Sequence, residues 1–437
     1  MKKMLLGTLS AIVMGMASMA HAETTINLQR FFGACDAKYG NSTDVSKAVG
    51  ECGIITTLIN KFEKQNPDIH VKVTVVEWPG YDQLNAQLVS NAAPDLVTMH
   101  YSAIPDYLSH HLLMPLDKIL AKEGITKDDF TGPAIRGVTE NGHMYGLPFD
   151  TWTMLFHVNL NLMKKAGLMN ADGTPILPTS EKTFFEQAEQ FKKATGKPYL
   201  VQILANETAS YARMFYTLLM KQNSDFFKDP SKIDITTAKA RAALSFMKRI
   251  NDEGLTTVGM DYPAAVSGFT NGAGGIAVNG TWLIGTYNAQ SHESGNALSG
   301  GGYAVYPFPQ IFPGRDASYV DGHSWVVPRG DRSEAKRDAI GRLLKFLYQH
   351  DYQWSRTGHL PAVKAVYKTE KFKMLPFRNN LAEIPKIAHT LPKGVLRQFS
   401  IQDIIGEEVS AAVSGDKSIN DALESAQERI NDMLDNL

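Results

Sequence analysis

Apolar residues recur along this chain in two alternating spacings. Residues 24–29 (TTINLQ) read as a short strand. Ile55, Leu58, Ile59 and Phe62 then fall three and four apart, which predicts one face of a helix. Pro67 stops that helix, because proline cannot continue it. Ile69, Val71, Val73 and Val75 share one face of a predicted strand. GYDQLNAQLVSN predicts a second helix, and PDLVTMH a third strand after a turn. This β-α-β-α-β order indicates a doubly wound parallel sheet. Such sheets bind ligands beyond the carboxyl ends of their strands. Those ends here carry Arg30-Phe31-Phe32, Trp78 and His100-Tyr101-Ser102, mixed aromatic and polar sets.

Alternation continues downstream. EKTFFEQAEQFKKATG predicts a helix that stops at Gly196, and KPYLVQIL a strand. Three later stripes predict helices: Ala240, Ala243, Leu244 and Met247; Ile340, Leu343, Leu344 and Leu347; Ile419, Leu423, Ala426, Ile430 and Met433. No repeat or Pro/Gly linker divides the chain, so two α/β lobes with the chain crossing between them are expected.

The first residues change the address. Lys2 and Lys3 precede an uncharged apolar or small stretch over residues 4–18, and Ala20-His21-Ala22 fits a small-x-small cleavage site. This predicts a signal peptide over residues 1–22, cleaved after Ala22, and a periplasmic protein. The chain of 437 residues is long enough for two domains. Its formal charge of −1 becomes −3 without Lys2 and Lys3, which argues against a nucleic-acid surface. Cys35 and Cys52 are the only cysteines, and in an oxidising compartment they are most simply one disulfide. No HExxH, GxSxG or GxxxxGK[ST] pattern occurs, and the histidines show no metal-ligand spacing, so neither metal nor cofactor is expected.

Several segments, in order, resemble the sugar-binding proteins of bacterial ABC importers related to maltose-binding protein. They are FEKQNPDI, the stretch VTVVEWPGYDQLNAQLVSNAAPDLV, HLLMPLD, NGHMYGLPFDTWTMLFHVNLNLMKKAGL and GGIAVNGTW. The resemblance implies a periplasmic-binding-protein fold, a Venus-flytrap of two doubly wound α/β lobes joined by a three-crossover hinge. It places crossovers near 147–150, 315–322 and 357–360. The lobes would comprise 23–148 plus 322–357 and 149–321 plus 358–437. The expected function is capture of a small carbohydrate (a mono- or disaccharide or a glycosyl-polyol) by a monomer that delivers it to the transmembrane permease. An anionic sugar on the same fold is one alternative; a secreted glycoside hydrolase or lyase, using Asp150 and Glu207, is the other.

A sugar needs flat rings under its C–H faces and planar polar groups at its edges. Trp78, Trp152, Trp282 and Trp325 lie where strand ends or crossovers are expected. Arg30 offers a guanidinium fork, with Phe31, His100, Tyr101, Asp150 and His323 at neighbouring strand ends or crossovers. In the second lobe the resemblance adds Asn206, Glu207, Tyr211 and Arg213, and, late in the chain, Arg397. The stretch NGAGGIAVNGTWLIGTY carries Gly272, Gly274, Gly275 and Gly280 without the spacing of a phosphate loop. Gly280 and Thr281 are therefore expected to bring Trp282 to the cleft, facing a jaw of Arg30, His100 and Trp325.

Overall fold

A computed structural model of the chain describes residues 23–205 and 207–437. The expected signal peptide and Asn206 lie outside the described residues.

The predicted strands at the start assemble one sheet. Its order is Ile69–Val75, Thr24–Arg30, Leu96–His100, His323–Val326, Gly146–Pro148. The first three strands are parallel, and the last two pair antiparallel. Helices Gly50–Gln65 and Glu334–Gln349 turn the predicted stripes inward, burying Ile55, Leu58, Ile59, Phe62, Ile340, Leu343, Leu344 and Leu347. A disulfide ties Cys35 to Cys52 in the first turn of the first of these helices, with Cα atoms 6.0 Å apart.

The second sheet is built around Asp150–Asn159. Strands Ile276–Gly280, Tyr303–Pro307, Ser318–Asp321 and Leu360–Pro361 all pair antiparallel to it. Leu200–Val201 joins parallel to Ile276–Gly280, and Ala388–His389 parallel to Ser318–Asp321. This sheet is thus mainly antiparallel around one long strand. Every residue of that strand is buried, so its sequence, DTWTMLFHVN, lacks the alternation of a one-faced strand. Helices Thr208–Lys221, Ala238–Asp252, Gln398–Ser414 and Ile419–Asp435 pack the core of this lobe.

The chain passes between the sheets three times: at Phe149, at Gly322, and across residues 356–359. Gly322 is required by close approach. A Cβ there would collide with the Tyr101 ring and the Asp150 carbonyl.

Candidate functional site

The lobes face each other across a cleft of about 620 Å³. One wall is the segment from Trp78 through Tyr81 to Tyr107, and the other the start of helix Gln398–Ser414 with Arg397 and Phe399. Trp78 is 38% exposed and is the largest apolar side chain so placed. Phe399 reaches across to the ring of Tyr81 at 4.9 Å and that of His100 at 5.1 Å.

His100 ends the strand Leu96–His100 and is fixed on both ring nitrogens. Trp78 Nε1 donates to His100 Nε2 at 3.3 Å, and Nδ1 lies 2.7 Å from the Tyr81 hydroxyl. An indole N–H can only donate, so the neutral ring carries its proton on Nδ1. Burial pushes the His100 pKa well below its ordinary value, and the charges of His323 and Arg213 add to this. Phe31 stacks on the ring at 5.0 Å.

Arg213 projects from helix Thr208–Lys221 and is 4% exposed. Its guanidinium lies 5.0 Å from the Trp78 ring and 4.6 Å from the Trp152 ring. Nε donates to Gln402 Oε1 at 3.2 Å. Beyond Trp152, Trp282 stands edge-on at 5.6 Å and donates its Nε1–H to the Tyr262 hydroxyl at 2.9 Å. A Cβ on Gly280 would strike the Trp282 ring, so glycine is what lets that ring fold back on its own strand. Trp78, Arg213, Trp152 and Trp282 form one continuous row of contacts.

The hinge carries a separate polar network. Asp150, fully buried, accepts from His323 Nδ1 at 2.9 Å, from the His323 amide at 3.1 Å and from Trp354 Nε1 at 2.7 Å. Burial works against this carboxylate, but His323 and His359 hold its pKa below the ordinary value. Burial likewise opposes charge on His323, and Asp150 reverses it, raising the imidazole. His359 Nε2 pairs with Glu51 at 2.9 Å, and its Nδ1 lies 3.2 Å from Thr281 Oγ1. Glu51, His323 and His359 bring donor atoms within 4.8 Å of one another and could hold a metal ion, a gathering that their sequence spacing hides. Asp321 accepts from the Ser102 amide and hydroxyl at 3.2 and 2.5 Å, tying the second sheet to the first lobe. Burial raises its pKa to about 6, against hydrogen bonds from Ser102 and Gly322.

Several expected cleft residues stand elsewhere. Arg30 is 2% exposed, donating to Gly33 O at 2.6 Å and Thr56 Oγ1 at 3.0 Å behind the strand end. Trp325 is 0% exposed and packs on Phe149 and Phe32 inside the first lobe. It lies two residues into a strand that His323 opens, which puts it behind the cleft face. The jaw expected opposite Trp282 therefore keeps His100, while Arg30 and Trp325 support the sheet. Tyr101 donates to the Asp150 carbonyl at 2.6 Å and belongs to the hinge. Tyr211 points into the second lobe, its hydroxyl 3.4 Å from Leu204 O beside a cavity of about 20 Å³. Glu207 caps the start of helix Thr208–Lys221, and burial raises its pKa although Arg213 opposes this. Arg397, exposed at the cleft rim, has φ 58° and donates its amide to Asp106 at 2.6 Å. The geometry adds Tyr81, Tyr262, His359, Phe399 and Gln402. His359 had a sequence signal, its place in the third crossover; Phe399 reads as an ordinary apolar helix residue.

Residues 57–379 match the family described as bacterial extracellular solute-binding protein. The chain belongs to this family. It is 24% identical to the arabinooligosaccharide-binding protein of Bacillus subtilis over 62% of this chain, a match spanning only 61% of that relative's length. It is 22% identical to the sn-glycerol-3-phosphate-binding periplasmic protein UgpB of Escherichia coli, over 98% of this chain and 97% of the relative. Among solved structures, maltose-bound MalE3 of T. maritima superposes with TM-score 0.78 at 21% identity, over 94% of this chain and 100% of that one. The GacH receptor of Streptomyces glaucescens gives 0.76 at 18%, over 94% and 99%. The fold is that of the maltose-binding type. Membership in this solute-binding family makes capture, not covalent chemistry, the activity.

Proposed function

We propose that this protein captures a small carbohydrate, a mono- or disaccharide or glycosyl-polyol, between its lobes and delivers it to the permease of a bacterial ABC importer. The observation that carries the reading is the cleft lined by Trp78, Tyr81, Tyr107 and Phe399, with His100 against Phe399 and with Arg213, Trp152 and Trp282 in line behind Trp78. Rings offer apolar platforms to sugar faces, and planar polar groups meet the hydroxyls. The lobes of this reading are 23–148 with 322–357, and 149–321 with 358–437. Lobe closure shifts a population toward the closed form by the contacts made only there. The protein works as a monomer in the periplasm once residues 1–22 are removed.

A thermal-shift screen against a carbohydrate panel tests this. A sugar at a hundred times its dissociation constant adds about 2.7 kcal/mol to stability. The expected result is a raised melting temperature with one or a few small sugars. No shift with any sugar, together with a shift from an amino acid or a metal ion, overturns the reading.

A further inference from the structure

Among the described residues, the buried cations other than Arg213 place their terminal donors on oxygen. Lys221 pairs with Asp316 at 2.7 Å. Arg378 donates to Gly358 O at 2.9 Å and to Ser355 O. Arg332 is held by Asp95 at 3.1 Å and by Pro328 O at 2.8 Å. Arg213 is 4% exposed, yet only its Nε has an acceptor. Among the described residues, no oxygen accepts from its two terminal Nη groups and no carboxylate forms an ion pair with it.

The tryptophans explain part of this and leave part open. Two indole faces flank the guanidinium and stabilise its charge through their π electrons. A π face cannot accept the in-plane Nη–H bonds, and a buried donor without a partner is costly. Beside these Nη groups stand two buried donors, each costly to leave without a partner. Trp152 Nε1 and Gln402 Nε2 are buried and have no partner, and both side chains touch Arg213. Arg213 and the two side chains in contact with it thus carry four donor groups without a described acceptor, and Gln402 Oε1 is already used. Glu207 and Asp403 feel the Arg213 charge without coming into ion-pair contact. A neutral sugar presents donors and acceptors in like number. Unfilled donors of this kind match a group that only accepts.

Building on the carbohydrate reading, we infer that the captured sugar carries an oxyanion, a phosphate, carboxylate or sulfonate, and that Arg213, Trp152 Nε1 and Gln402 Nε2 receive it beside the Trp78 ring. A planar guanidinium presents paired N–H groups that match two oxygens of such an anion. The tryptophans hold the fork in plane and exclude water, which strengthens the pairing.

Titration calorimetry with matched probes tests the inference: glucose against glucose 1-phosphate, glucose 6-phosphate and glucuronate, and glycerol against glycerol 3-phosphate. For at least one pair the anionic member should bind about tenfold or more tightly than the neutral one. Arg213→Met should weaken the anionic member about a hundredfold while moving a neutral sugar less than about threefold. Arg213→Lys, which keeps charge and loses the fork, should restore part of the anionic affinity and so separates recognition from misfolding. If neutral sugars bind as well as or better than their anionic partners, and Arg213→Met weakens both alike, the oxyanion inference is overturned and the carbohydrate reading stands. If no sugar of either kind binds, both are overturned.

Discussion

Arg30 and Arg213 stand in different lobes, one at the end of the first strand and one on a helix of the second lobe. Both are nearly inaccessible, at 2% and 4% exposure. Arg30 spends its Nη groups on Gly33 O and Thr56 Oγ1, anchoring the chain around the Cys35–Cys52 bridge. Burial lowers its pKa to about 10. Arg213 spends only Nε, and its faces lie on tryptophans from both lobes. A buried cation whose terminal donors are filled from within is part of the framework. One whose donors stay open between two moving bodies is positioned for something that arrives.

The hinge supplies the extreme of the filled kind. Asp150→Asn removes the charge that His323 and Trp354 surround, and breaking a buried pair of this sort costs about 4 kcal/mol. Chemical unfolding should show that loss; an unchanged midpoint would mean the network carries no strain-free pairing. Asp321 gives the next effect, through pH. Its native pKa of about 6 exceeds the usual carboxylate value of 3.8. Between those values the folded protein keeps a proton that the unfolded chain has released, so stability falls as pH rises from about 4 to about 6, by up to about 3 kcal/mol. Asp321→Asn should flatten this fall in melting temperature, and an identical slope in the variant would remove Asp321 as its source.

Arg30→Met should cost about 2 kcal/mol in denaturant unfolding, since Gly33 O and Thr56 lose a charged donor. Arg213→Met is the smallest change to the ligand-free protein. It removes an unfilled buried charge along with two cation–π contacts, so its unfolding free energy should stay within about 1 kcal/mol of the parent. If Arg213→Met were the more destabilising of the two, the distinction between framework and open cation would fail.

The sequence makes these two arginines look alike. Each lies near aromatics in the sequence, Arg30 beside Phe31 and Phe32 and Arg213 between Tyr211 and Phe215, and only the contacts separate them. Trp78 lines the cleft and was legible there because it stands just past a strand end, where a doubly wound sheet opens; His100 closes its own strand and lies buried behind Trp78. Trp325 was not, because two residues along a strand decide between rim and core. Helix stripes such as Ile55, Leu58, Ile59 and Phe62 are legible because one face is apolar and the other wet. Asp150–Asn159 is buried on both faces and offers no period to read. Phe399 and Gln402 meet Trp78 and Arg213 from more than 180 residues away, and no local pattern encodes such a meeting.

A crystal structure of the protein with the tightest-binding sugar from the calorimetric series addresses the central claim most directly. The account predicts the sugar between the lobes, one face on Trp78 or Trp282, with Arg213 Nη donating to its oxygens. A sugar bound outside the cleft, or one inside it that leaves the Arg213 Nη groups unbonded, would contradict it.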